Sequence, residues 1–304
     1  MRLCVIIPAY NEEKSVCSVV ASIPASLPGV DDVRIFVVDD GSTDATREEA
    51  LRAGAIVLSH PTHLGLAAAF RTGLKASLEN DADLIATLDA DGQYKAGELA
   101  SLWMTMRLTN AQLVVGDRCV CSCRHMPLGN RIGNMVGSCM LRVMGVTRIS
   151  DASSGFRLFT ANLGASLRIM SRHTYTHEML IQADAYGFTV AEVPVTFLPR
   201  SYGRSKLVRT LRHHILRSCG TIIRSIFLYR PLRKFVLLSA LCILTATSLA
   251  VYAVYNFDVH FKSMMIAALF AVVGIQFLIL GVIAEASAAE RRLQREVAVS
   301  RTRR

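Results

Sequence analysis

Aromatic residues are scarce: Phe, Trp and Tyr make up 7% of 304 residues, with Trp103 the single tryptophan. Basic segments without interleaved aromatics lack the stacking platforms that hold single-stranded nucleic acid, so no nucleic-acid partner is expected. Acid is missing from Arg200 to Lys234, where ten lysines and arginines stand without one Asp or Glu; the whole chain has net charge +10, so the remainder is balanced. Charge of either sign is missing from Phe235–Phe257 and Ser263–Ala284. Each is long enough to cross a hydrocarbon core, which takes roughly 20 helical residues. Together with 52% hydrophobic residues and a mean hydropathy of +0.36, they predict a transmembrane hairpin closed by Asp258–Lys262. A secretory leader is not expected, because Leu3–Ile7 is a short apolar run without a basic lead. The eight cysteines are scattered, which argues against a disulfide framework, and Cys119, Cys121 and Cys123 alternate more tightly than paired zinc ligands do.

What is present sets topology and organisation. The basic window and the tail carrying Arg291, Arg292, Arg295, Arg301, Arg303 and Arg304 flank the hairpin. The positive-inside rule then places both flanks, both termini and the large N-terminal domain in the cytoplasm. Residues 207–234 group Leu207, Val208, Leu211, Ile215 and Leu216 on one face, as expected of amphipathic helices lying in the headgroup layer. Gly274 and Gly281 in the second span offer a face to a neighbouring chain, hence to a homo-oligomer.

The first half alternates apolar runs with helical patterns: LCVIIP, Glu12–Ile23, VRIFVVDD, Thr43–Ala53, AIVLSH, Leu66–Leu78, DLIATLDAD, Ala96–Leu108, QLVVGDR. A helix is expected at His177–Tyr186 and a final strand in FTVAEVPVTFLP. This is the α/β pattern of a mostly parallel sheet with helices on both faces, its strands nearly continuously hydrophobic because they are covered twice. In such sheets ligands bind beyond the carboxyl ends of the strands, where Pro8–Glu12, Asp39–Ser42, Asp89–Asp91 and Gly116–Arg118 collect. Residues 127–145 are apolar but interrupted by Gly129, Gly133 and Gly137, which suits either close approach to a neighbour or lipid or a loosely packed core helix.

The pair Asp89 and Asp91 ends an apolar run in adjacent negative charge, with Gln93 beside it. Carboxylate and amide oxygens suit Mg²⁺ or Mn²⁺, and few protein ligands are needed when a diphosphate supplies the rest. His60 and His63 in a loop beside Pro61 read as loop chemistry, and His173 and His177 have no third ligand at metal spacing beyond Glu178. His177 and Glu178 line a sugar pocket or cap a helix in this reading.

In order along the chain, IIPAYNEE, VVDDGSTD, TLDADGQ, VVGDR, SSGFRLF, AEVPVTF and RSYGRSKL resemble the family 2 glycosyltransferases of GT-A fold, in particular the dolichyl-phosphate mannosyltransferase-like polyprenyl-phosphate sugar transferases. The resemblance implies that Pro8, Tyr10 and Glu12 contact the nucleotide, with Val38 and Asp40 at base and ribose. It places Asp89, Ala90 and Asp91 at the diphosphate, and Asp89, Asp91 and Gln93 at the metal. Arg118, Arg131, Arg200 and Lys206 would bind phosphates. Asp151 is either a base or the carboxylate that positions Arg118 or Arg200. RSYGRSK would close over the phosphates.

These readings divide the chain into a GT-A domain (1–206), interfacial helices (207–234), two transmembrane helices (235–284) and a basic tail (285–304). They imply metal-dependent, inverting transfer of one hexose from GDP-mannose, UDP-glucose or UDP-GlcNAc to dolichyl or polyprenyl phosphate at the cytoplasmic membrane face. Inversion follows from the resemblance and from the lack of an evident covalent nucleophile. The rivals are a transferase with another glycolipid acceptor and a noncatalytic membrane scaffold that binds a nucleotide sugar. A processive polysaccharide synthase is disfavoured, because Trp103 stands outside any Q-x-x-R-W motif.

Overall fold

The structure is a computed structural model that describes residues 1–123, 126–171, 174–200, 220, 231–256 and 260–302. Lys206, His173 and the expected interfacial helices before Pro231 lie outside the described residues. The chain divides into two units, Met1–Ile222 and Ile223–Arg304.

In the first unit, β1 (Arg2–Ala9), β2 (Asp32–Asp39), β3 (Ile56–Ser59), β4 (Leu84–Thr87), β5 (Leu113–Asp117), β6 (Arg157–Thr160) and β7 (Val190–Pro194) form one sheet in the order β3-β2-β1-β4-β6-β5-β7. The helices are α1 (Val16–Ala21), α2 (Thr46–Arg52), α3 (Leu66–Glu79), α4 (Leu99–Thr109), α5 (Leu128–Val143), α6 (Ala161–Ser166) and α7 (Thr176–Ala185). Both faces of β1 are buried, which explains its unbroken apolar sequence. Leu3, Val5 and Ile7 join a core with Val16, Val19, Leu102 and Trp103. Ile6 points the other way, and α3 comes so close that a Cβ on Gly73 would sit 2.3 Å from Ile6 Cγ2.

Two features depart from the sequence expectation. The segment SSGFRLF contains a strand, β6, which pairs antiparallel with both β4 and β5. Its direction follows from the chain path: after α5 the backbone returns to the carboxyl-end rim at Asp151 and must enter the sheet from that side. β6 therefore contributes its leading loop to the rim, where β1, β2, β4 and β5 contribute their trailing ends. The first helix is also shorter than Glu12–Ile23, because residues 12–15 form a turn tied down by the bond from Glu12 N to Thr46 Oγ1 at 2.7 Å.

The second unit contains α8 (Pro231–Tyr255) and α9 (His260–Thr302). Their stretches Lys234–Tyr255 and Phe261–Glu290 are long and apolar enough to cross a membrane, with mean hydropathies of 2.1 and 2.7. Gly274 faces Ile243, and Gly281 faces Phe235 at 2.7 Å from a built Cβ, so both glycines are used inside the hairpin. The packing face that the sequence offered to a neighbouring chain is thus occupied by α8.

Candidate active site

Two polar clusters stand on the rim. The first surrounds Asp40, which is 3% exposed at the end of β2. Oδ1 lies 2.7 Å from His60 Nδ1 and accepts from Leu64 N at 2.9 Å, while Oδ2 lies 2.8 Å from His63 Nδ1 and accepts from Gly65 N at 2.7 Å. The His63 ring stacks on Tyr10, with centroids 4.1 Å apart. Gly41 closes this turn with φ +73°, and a Cβ there would come within 2.6 Å of the Thr62 carbonyl carbon, so only glycine fits. The histidines read from sequence as loop chemistry therefore grip the carboxylate assigned by resemblance to base and ribose. The signal available in the sequence was their spacing of three, which puts both rings on one turn. Val38 is wholly buried in register with Pro8 on β1, so its side chain faces the core.

The second cluster gathers residues distant in sequence, with Arg200 meeting both Asp91 and Glu12. Asp91 accepts from Gln93 N at 3.1 Å and from Arg200 Nη2 at 2.7 Å, and the same guanidinium nitrogen lies 3.4 Å from Glu12 Oε1. Gln93 Nε2 donates to the Leu198 carbonyl and Leu198 N donates to the Gln93 carbonyl, so the segment bearing Arg200 is zipped to the aspartate loop. Asp89 packs against the backbone of Gly155, where a Cβ would sit 2.7 Å from Oδ1. Burial, and then the neighbouring Asp91 charge, push the Asp89 carboxyl up to about 7, against the pull of Arg118 and Arg200. Ala90 between them is buried.

Arg118 is held from several sides. Nε donates to Asp151 Oδ2 at 2.6 Å, Nη2 donates to Asp151 Oδ1 at 2.8 Å and to Ser153 Oγ at 2.8 Å, and the guanidinium lies over Phe197 at 5.2 Å. Asp151 is completely buried. Burial alone would raise its pKa, but the bonds from Arg118 outweigh it and hold the carboxyl below its ordinary value. A carboxylate so engaged is a weak proton acceptor and a good positioner. Arg131 donates to the Cys121 carbonyl at 2.6 Å, and its Nε has no partner among the described residues. Glu178 does not line an open pocket: it accepts from Met170 N and Ser171 N and fixes the turn before α7.

Arg157 has no counterpart among the sequence candidates. It is wholly buried, and its three nitrogens donate to the carbonyls of Ala152, Ser154 and Thr176. It braces the loop that holds Asp151 against α7. A charged residue inside the apolar run FRLF was the available sign.

Among the described residues no group of three His, Cys, Asp or Glu side chains forms a metal cage. The donor set nevertheless fits a hard divalent cation completed by phosphate oxygens. Two carboxylates approach each other at a desolvated strand end, one of them strained by the other's charge, and an arginine cation already lies against Asp91.

This mostly parallel sheet with its helices and polar rim is of GT-A type. The chain matches the Glycosyl transferase family 2 profile over residues 4–160, just over half its length. It belongs to that family and is a glycosyltransferase. It is 29% identical over 218 residues to an undecaprenyl-phosphate mannosyltransferase of Micrococcus luteus, covering 68% of this chain and 88% of the relative. It is 30% identical over 226 residues to a UDP-N-acetylglucosamine–dolichyl-phosphate N-acetylglucosaminyltransferase of Methanococcus voltae, covering 66% and 87%. In fold it is similar to glucosyl-3-phosphoglycerate synthase of Mycobacterium tuberculosis, solved with Mn²⁺, UDP and phosphoglyceric acid, at TM-score 0.56 and 23% identity, covering 74% and 77%.

Proposed function

We propose that the protein transfers one hexose, with inversion, from a nucleotide sugar to a polyprenyl phosphate at the cytoplasmic face of a membrane. The observation that carries this reading is the Asp89–Asp91 strand end with Arg200 bonded to Asp91 and Arg118 held by Asp151 on the same rim, in a chain with two helices long enough to span a bilayer. The polyprenyl- and dolichyl-phosphate relatives support the acceptor class. The division into a transferase domain to 206, interfacial helices 207–234, spans 235–284 and a basic tail, with both termini cytoplasmic, is part of the same proposal.

Asp89 and Asp91, with the Gln93 amide, would hold Mg²⁺ or Mn²⁺. Bound there, the cation screens negative charge building on the departing nucleoside diphosphate. Tyr10 and the Asp40 cluster bind the nucleoside end, with Pro8, Glu12 and the Val38 backbone beside them. Asp151 and Ser153 fix the Arg118 guanidinium so that it meets a phosphate without reorganising, which is where preorganised charge is most effective. Arg200, Arg131 and Lys206 add positive charge around donor and acceptor phosphates. A lipid monophosphate has a second pKa near 6 and is largely ionised at neutral pH, so it needs orientation more than proton removal. Positioning donor and acceptor in line supplies much of the remaining rate.

The test is transfer of label from radiolabelled GDP- and UDP-sugars into organic-extractable product, using purified protein, polyprenyl phosphate and Mn²⁺ or Mg²⁺. Label from one donor, abolished by chelator, is the expected result and names the sugar. No label from any donor, with nucleotide still bound, refutes the acceptor assignment.

A further inference from the structure

Helix α5 is amphipathic the wrong way round for a soluble surface. Its buried residues are Asn134, Gly137, Ser138 and Leu141. This inward face serves the catalytic rim: Ser138 Oγ accepts from Ala152 N at 3.0 Å and Asn134 Oδ1 accepts from Ser153 N at 3.3 Å. The outward face carries Leu128, Ile132, Met135, Val136 and Val143, exposed by 68%, 45%, 48%, 38% and 81%, with exposed Cys139 among them. Spacings of 4, 3, 1, 3 and 4 put all six on one stripe, which extends about 24 Å at 1.5 Å per residue. A continuous apolar stripe of this length marks an interaction surface, where isolated apolar residues would not.

The surrounding charge selects the partner. Between Asp117 and Asp151 the sequence has five arginines and no acid, and although Arg118 is engaged by Asp151, Arg142 and Arg148 stand beside the stripe. Arg142 and Arg148 are exposed. A second copy docked symmetrically on this face would bring arginines against arginines, since a twofold contact uses the same patch twice. An anionic lipid surface meets both requirements, accepting the apolar stripe below the headgroups and the guanidiniums among the phosphates. The two long apolar helices bring the chain to a bilayer in any case.

We propose that the outer face of α5 is a membrane-docking surface that inserts shallowly into an anionic leaflet. Its ends connect directly to the catalytic rim, through residues 118–127 on one side and 144–151 on the other. Docking would hold the Arg118–Asp151 pair at headgroup depth, where a lipid phosphate emerges; only this purpose rests on the proposed acceptor.

The test uses full-length protein in nanodiscs of phosphatidylcholine and phosphatidylglycerol, 3:1, with or without brominated acyl chains. Met135→Trp places a reporter on the stripe. Glu79→Trp places one at the end of α3, where the chain enters β4 at the sheet end away from the rim, and native Trp103 is buried. Bromolipid quenching of the Met135→Trp reporter, well beyond wild type and Glu79→Trp, is expected. An unquenched Met135→Trp, or equal quenching at both positions, overturns the proposal. Ile132→Glu combined with Met135→Glu should leave nucleotide affinity unchanged and lower transfer to long-chain polyprenyl phosphate in discs about tenfold, while sparing a short water-soluble acceptor; equal activity on both acceptors also overturns it. Strong quenching in a protein that labels no polyprenyl phosphate would leave docking standing and remove the acceptor assignment instead.

Discussion

Two arginine–aspartate pairs stand on the same rim and are built differently. Arg118 and Asp151 meet through two side-chain bonds and a backbone donation to a carboxylate with no exposure. Arg200 reaches Asp91 through one nitrogen that it shares with Glu12, and both partners retain contact with solvent. The first pair is over-determined and holds one geometry. Among the described residues the second pair rests on one bond between Arg200 and Asp91, of the kind a competing cation or phosphate can replace. In the proposed mechanism the first guanidinium is already aimed, and the second would move when substrate arrives.

Removing a partner from the locked pair has the largest expected effect. Asp151→Ala leaves a buried guanidinium uncompensated, which costs about 3–5 kcal/mol, and it should lower Tm by roughly 10 °C. Thermal unfolding in detergent checks this, and a Tm within a degree or two of wild type would erase the distinction between the pairs. Asp91→Asn should leave Tm nearly unchanged, yet cut metal-dependent transfer by about 10²–10³-fold, the size of losing one charge-stabilising contact in a transition state. Normal turnover in that variant would remove Asp91 from the proposed metal site.

The displaceable pair makes an unusual expectation for Arg200→Gln. Because Arg200 lies against Asp91, it would compete with a divalent cation at the proposed metal site in the nucleotide-free protein. Its removal should tighten Mn²⁺ binding several-fold without nucleotide, measured by electron paramagnetic resonance, while transfer falls. Weaker Mn²⁺ binding in the variant would mean that Arg200 supports the site rather than occupying it.

Much of this rim could be read in the sequence because it follows from two local rules. Apolar runs of strand length end in polar residues, and parallel strands align those ends, so Glu12, Asp89, Asp91 and Arg118 could be placed together before any contact was known. What could not be read depends on the return of the chain. β6 is a four-residue strand inside a segment without alternation, and its antiparallel entry is set by the path through α5. Arg157 and the double grip of His60 and His63 on Asp40 are tertiary contacts with no periodic signature. The orientation of α5 was equally hidden, because glycines every four residues suit a lipid-facing helix and a core helix alike. Gly137 against His177, with Asn134, Ser138 and Leu141 buried beside it, reveals which side faces in.

The finest contrast on the rim is between Asp151 and Asp89, two carboxyls shifted in opposite directions. The Asp151 carboxyl is held low by Arg118, so its stabilising pair is complete above its unfolded value and is lost only as pH falls through the lowered one. Asp89 is pushed up to about 7 by burial and by Asp91. Below the unfolded carboxyl value near 3.9 it is neutral in both states and contributes nothing to the pH dependence. Between there and about 7 the unfolded chain releases the proton and the fold retains it, so metal-free stability declines as pH rises across this window. Asp89→Asn should abolish that decline and raise Tm at pH 8 in chelator by a few degrees, roughly 2–4 °C for each kcal/mol relieved. A cation should do the same for wild type, and because it displaces the Asp89 proton, its affinity should fall as pH drops below about 7. An Asp89→Asn variant that is less stable than wild type at pH 8 would mean that the Asp89 charge is already balanced within the fold, and that the rim carries no strain for a cation to relieve.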